Sequence, residues 1–211
     1  MDQAAIAKLA AWLSPAYPVG AFAYSHGLEW AIGAGEIADA PTLEVWIGDL
    51  IAHGAGRSDA ILLARAHAMP LDQDPAALAA ALQPSAERHA ETMNQGAAFA
   101  ETTAAAWGPA LAPAPYPVAI GRASAAHGIP VQAAAALYLQ GFASNLVSVG
   151  IRLIPIGQTA GQQVLAALMP LIQQVAEEAV AAPITGLGGA AFRADIASMR
   201  HETQRTRLFR S

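Results

Sequence analysis

Apolar residues recur along this chain at spacings of three and four, punctuated by proline, and nowhere alternate over a useful length. That pattern leaves helix packed on helix as the one architecture able to bury the chain's apolar stripes. Ile6, Leu9, Trp12 and Leu13 predict a first helix, closed at Ser14-Pro15 because the residue before proline is pushed out of the α region. Ser14 to Phe22, with Pro15, Pro18 and Gly20, reads as a structured loop. Leu28 and Ile32 predict a second helix from about Ser25, ending at Gly33 or Gly35. Asp39 followed by Pro41 is a helix start, and Leu43, Trp46, Ile47, Leu50 and Ile51 form the stripe behind it. A fourth helix carries Ile61, Leu62 and Arg65 and breaks at Pro70. Leu78 and Leu82 mark a short helix before Pro84, and a longer one runs from about Ser85 to Ala106.

Pro109, Pro113, Pro115 and Pro117 make a connector between two halves that both read as helical, so it is not taken as a domain boundary. Helices follow at about Val118 to His127 and Pro130 to Val149. Pro155 interrupts, and another runs from about Thr159 to Ala181. Pro183 to Gly189 reads as a flexible Gly-rich loop, and Phe192 to His201 as the last helix. The expectation is an all-α, single-domain multi-helix bundle of about eight to ten helices over residues 1–201, with a short polar tail over residues 202–211. There is no internal repeat.

At 211 residues the chain can bury roughly 70% of its unfolded surface. It has no cysteine, which excludes disulfides, thiolate zinc sites and a cysteine nucleophile. A net charge of −5 offers no basic patch for nucleic acid. Met1-Asp2-Gln3 places an acid where a signal peptide carries basic residues, so no targeting segment is read there. Val131 to Ile151 is uncharged and long enough to span a bilayer. Gln132, Gln140, Ser144, Asn145 and Ser148 interrupt it, and a helix buried in a bundle is the preferred reading.

Lys8 is the only lysine, and no Gly-rich loop precedes it, so the chain is not a P-loop NTPase. Ala23-Tyr24-Ser25-His26-Gly27 has the spacing of a nucleophile elbow, but that motif needs a strand-to-helix turn. The preferred reading makes Ser25 the cap of the second helix, with a serine hydrolase as the alternative. The histidines form no His-x-x-x-His pair. Asp49 with His53, and Glu87 with Glu91, share helix faces and read as local ion networks rather than metal sites. Gly141, Ser144, Asn145 and Ser148 form a small-polar stripe, suited to close packing within the chain or to self-association.

The tail carries Arg200, Arg205, Arg207 and Arg210 around Leu208 and Phe209. Such a segment is either a frayed basic terminus or a docking peptide, since arginine and aromatic residues are frequent binding anchors.

Three blocks carry a resemblance. Leu13-Ser14-Pro15, Pro18-Val19-Gly20-Ala21-Phe22 and Tyr24-Ser25-His26-Gly27-Leu28-Glu29 form the first. Ser144-Asn145-Leu146-Val147-Ser148, Arg152-Leu153-Ile154-Pro155-Ile156-Gly157-Gln158-Thr159 and Gly161-Gln162 form the second. His201-Glu202-Thr203-Gln204 and Thr206-Arg207-Leu208-Phe209-Arg210-Ser211 form the third. In this order they resemble the UreF family of urease accessory proteins. Ala23 and His26 depart from the family's usual Ser and Gln, and Arg205 from a frequent aromatic.

The resemblance implies a cytoplasmic, homodimeric helical adaptor that is not an enzyme and carries no cofactor, catalytic residue or metal of its own. It implies that the protein joins UreD (also called UreH), recruits the GTPase UreG and modulates or serves its GTP hydrolysis, so that nickel enters apo-urease. It also assigns partner binding to Phe22, Arg207, Leu208, Phe209 and Arg210, with no nucleic acid and no membrane involved.

Overall fold

The computed structural model describes residues 3–68 and 74–211. The break expected at Pro70 lies outside them, as do Met1 and Asp2. Among the described residues there are ten α-helices, two short 3-10 turns and no strand. The helices are α1 (Gln3–Trp12), α2 (Leu28–Gly33), α3 (Ala40–His53), α4 (Ala55–His67) and α5 (Pro75–Ala81). They continue with α6 (Ala86–Trp107), α7 (Tyr116–Ala126), α8 (Val131–Leu153), α9 (Gly157–Ala181) and α10 (Phe192–His201).

Local chemistry accounts for most of the boundaries. Asp39 caps α3 by accepting the Thr42 backbone N–H at 2.9 Å, while the Thr42 hydroxyl accepts the Asp39 N–H at 3.2 Å. Such a reciprocal cap is worth about 1 kcal/mol. Ser85 caps α6 by a one-way bond, its hydroxyl accepting the Arg88 N–H at 3.2 Å.

Two boundaries differ from expectation. Helix α2 starts at Leu28, not near Ser25, because His26 (φ 55°) and Gly27 (φ 76°) both occupy the left-handed region and cannot continue a helix. Helix α8 runs four residues past Val149. Gly150 does not end it but makes room for α3: a Cβ there would lie 2.5 Å from a Leu43 methyl.

Helices α8 and α9, joined by the turn at Ile154–Ile156, pack side by side and carry the largest interface. Helix α3 lies against α9, α4 fits between α7 and α9, and α6 packs on α7. The stripe Leu43, Trp46, Ile47, Leu50 and Ile51 is buried as its spacing requires. The main core gathers Leu9, Trp12, Leu28, Ile47, Phe99, Leu139, Leu146 and Ile172, and also includes Phe209 from the tail. A smaller cluster of Leu62, Ala66, Ala79, Ala114 and Val118 sits under the proline-rich connector, tying the two halves together.

Helices α8 and α9 are each long and apolar enough to cross a membrane by length and composition; 56% of the most apolar α8 window is inside the protein, against 33% for α9. In α8 that apolarity serves the core. The Gly-rich segment after α9 is pinned. Arg57 donates to the Gly186 carbonyl at 2.8 Å, Ser58 to that of Gly188 at 3.3 Å, and the Ala190 N–H to that of His53 at 2.7 Å.

Candidate functional site: the returning C-terminal segment

Residues 202–211 fold back onto the loop that opens the chain. The Arg210 N–H donates to the Ala23 carbonyl at 2.8 Å, and the Ser25 N–H donates to the Ser211 carbonyl at 2.8 Å. The Ser25 hydroxyl also bonds the Ser211 carbonyl, and it accepts the Glu29 N–H at a long 3.4 Å. Ser25 is therefore a tether for the tail rather than the cap of α2, a position held by Gly27. It is fully buried, and no strand-to-helix turn exists among the described residues to support hydrolase chemistry at it.

Three carboxylates on α2 and α6 receive the segment. Glu29 accepts the Leu208 N–H at 2.7 Å and the Phe209 N–H at 3.0 Å. Glu87 pairs with the Arg207 guanidinium, and Glu91 accepts the Ser211 hydroxyl at 2.7 Å. Buried backbone N–H groups need acceptors, so Glu29 supplies what a neighbouring helical turn would otherwise provide. His201, at the end of α10 and fully buried, lies between two of these acids. Its Nδ1 is 2.7 Å from Glu87 and its Nε2 is 3.0 Å from Glu29. Each ring nitrogen therefore faces a carboxylate oxygen, one from α6 and one from α2.

The predicted site residues converge, but they do not share one role. Phe209 is 5% exposed and fills the core, with the Arg152 guanidinium 4.5 Å above its ring. Arg152 also donates to the Phe22 carbonyl at 3.2 Å, joining the opening loop to the tail. Phe22 and Leu208 are open to solvent, at 67% and 76% exposure. Arg207 and Arg210 are exposed.

Beneath the opening loop lies a cavity of about 650 Å³, lined on one side by Gln140 and by Gly141, Ser144, Asn145 and Ser148 of the small-polar stripe on α8. Its buried floor holds His26, Asp59, Arg88, Glu91 and Tyr138. Burial alone would raise Glu91, but the Arg88 guanidinium beside it and His26 hold it down at about 2. Burial pushes Asp59 up to about 6, against the opposing pull of Arg88 and the Tyr138 hydroxyl, which donates to it at 2.8 Å. Burial, and then Arg88, lower His26.

Glu29 and His201 stand inside the sequence blocks quoted above, yet neither shows its role without its partner. Asp59 and Tyr138 lie outside those blocks. The one trace of Asp59 in the sequence is an acid directly before the apolar run Ala60-Ile61-Leu62-Leu63.

The UreF family model matches residues 37–169. A urease accessory protein UreF of Cereibacter sphaeroides is 56% identical over 211 residues, covering 99% of both chains. Proteins of the same description from Methylobacterium sp. and Rhodopseudomonas palustris are 50% and 48% identical, covering 96% and 99% of this chain and 87% and 94% of their own lengths. With a family model over more than half its length and relatives matched nearly end to end, the chain belongs to the UreF family of urease accessory proteins.

Proposed function

We propose that this protein is a cytoplasmic, homodimeric adaptor of urease maturation, without catalytic activity of its own. It bridges UreD (UreH) and the GTPase UreG in the complex that inserts nickel into apo-urease. Family membership supports the maturation role. The observation that carries the adaptor reading is the returning segment. Phe209 anchors it, while Leu208 and Phe22 remain 76% and 67% exposed beside the cations of Arg207 and Arg210. Apolar side chains held outward on a rigid base, rimmed by arginine, suit protein contact. In this reading residues 202–211 are the docking segment of a helical body formed by residues 1–201. Arg207, Leu208, Arg210 and Phe22 meet the partner, and Phe209 sets their positions. Any influence on GTP hydrolysis by UreG is exerted through the assembled complex.

Co-purification with UreD tests this. Arg207→Ala and Leu208→Asp are expected to keep the helical circular dichroism and melting of the parent while losing UreD and, with it, UreG. Normal recovery of UreD by both folded variants would reject the docking role of the segment.

A further inference from the structure

We propose that the cavity beneath the opening loop is a binding site for a guanidinium group, delivered either by a small molecule or by an arginine side chain of a docked partner. The argument rests on which polar groups in the cavity are already spent. Arg88 is committed to Glu91 and lies 3.0 Å from His26 Nε2. His26 Nε2 is 2.8 Å from Glu91, and Gln95 donates to the same carboxylate at 3.1 Å. That part of the floor is a closed network.

Two acceptors remain. The Asp59 carboxylate receives the Tyr138 hydroxyl, a neutral donor, and no ion pair to it exists among the described residues. His26 Nδ1 is buried without a hydrogen-bond partner, on a ring that lines the cavity and is 93% buried, since the residue is 7% exposed. Nε2 has two neighbours, Glu91 at 2.8 Å and the donor-only Arg88 at 3.0 Å. The shorter Glu91 contact assigns the proton to Nε2 and leaves Nδ1 a lone pair, with Arg88 held by Glu91 rather than by the ring. A buried acceptor of this kind calls for a donor.

The remaining chemistry narrows the class. Two carboxylates against one buried guanidinium leave the floor with an excess of one negative charge when Asp59 is ionised, so an anion is disfavoured. A bare metal ion lacks a ligand set, because no three His, Asp or Glu converge to hold one among the described residues. The walls contribute Tyr17, Tyr116, Tyr138 and Phe142, and aromatic faces favour flat, weakly hydrated cations. A guanidinium offers several N–H donors in one plane, enough to serve a carboxylate and leave donors for a second acceptor in the same cavity. At the rim Arg152 carries a like charge, but it is laid on Phe209 and donates to the Phe22 and Ser148 carbonyls.

The test is calorimetric titration of the full chain with ethylguanidinium chloride and with N-acetyl-arginine methylamide at constant ionic strength, with sodium chloride as control. Both probes are expected to bind. Asp59→Asn, which keeps the shape beside Tyr138, is expected to weaken binding at least tenfold. Ser144→Leu, which narrows the cavity without touching its floor, is expected to weaken it similarly and guards against loss of fold in the first variant. Asp59 is faced by Arg88 and Glu91 of α6 and by Tyr138 of α8. Binding is accordingly expected to weaken as pH falls from 7.5 to 5.5 and Asp59 gains its proton. If UreD binding displaces the probes, the natural source is a partner's arginine; if probe and partner bind together, it is a small molecule. Absence of binding by both probes at 10 mM, or equal binding by parent and Asp59→Asn, would overturn the proposal.

Discussion

Glu29 and His201 stand 172 residues apart in sequence and meet at 3.0 Å where α2 packs against α10. The same carboxylate takes the backbone N–H groups of Leu208 and Phe209, so one side chain fixes both the end of α10 and the turn of the tail. Glu29→Ala removes three interactions at once. Leu208 and Phe209 amides are expected to exchange with solvent 10- to 100-fold faster, while amides in α8 are unchanged. His201→Ala leaves Glu29 and Glu87 facing each other across a cavity and is expected to cost about 3–5 kcal/mol in urea unfolding. Unaltered amide protection in Glu29→Ala would show that Phe209 burial alone holds the segment.

Phe22 and Leu208 supply a contrast. Both are mostly exposed, so Phe22→Ala and Leu208→Ala are expected to shift stability by no more than about 0.5 kcal/mol. Phe209→Ala, from the core, is expected to cost about 3–5 kcal/mol. If the exposed pair form the docking surface, affinity for UreD falls more than tenfold in variants whose melting temperature is unchanged. Equal affinity would move the interface elsewhere on the body.

The cavity floor predicts opposing effects of pH. Glu91 is lowered from 4.5 to about 2, so the stability it contributes is present above pH 4.5 and is lost as pH falls toward 2. Asp59 is raised from 3.8 to about 6, so its ionisation weakens the fold as pH rises from 3.8 through 6. Each shift corresponds to about 3 kcal/mol at full extent. Urea titrations should show Asp59→Asn gaining on the parent between pH 4 and 7. Glu91→Gln should be the less stable variant at pH 7 and approach the parent below pH 4. A constant difference across pH in both would contradict these assignments.

Gly27 sits at φ 76°, and a Cβ there would lie 2.5 Å from the Ser198 backbone nitrogen. Gly27→Ala is therefore expected to push α10 off α2, costing more than about 2 kcal/mol and loosening the tail with it. Gly35, also at positive φ but with nothing near its Cβ, is the control: Gly35→Ala should cost only about 1 kcal/mol. Similar losses in the two would remove the packing argument.

Most of the helical frame was legible in the sequence because its determinants are local. The apolar stripe from Leu43 to Ile51, the caps at Asp39 and Ser85 and the limits of α10 all follow from residues within a few positions of one another. The misreadings came where distant neighbours decide. The sequence places the end of α8 near Val149, yet the helix runs on to Leu153 with Leu43 packed against Gly150, and Ser25 looks like a cap until Ser211 arrives. Residues 202–211 read equally well as a frayed terminus or a docking peptide because their partners, Glu29 on α2 and Glu87 and Glu91 on α6, are at least 120 positions away. The motif blocks marked stretches that lie against one another in the fold. They could not separate Phe209, which anchors, from Leu208, which is presented.

The pairing of Ala23 and Ser25 with Arg210 and Ser211 has a consequence for biogenesis. These strands of the chain lie 186 residues apart at Ser25 and Ser211, so during synthesis the join closes only after the intervening helices have emerged. The surface combining Phe22 with Leu208 consequently does not exist on a nascent or half-folded molecule. Under the proposed docking role, a partner that reads both at once binds only molecules in which this join has closed, so the join would serve as an inspection mark.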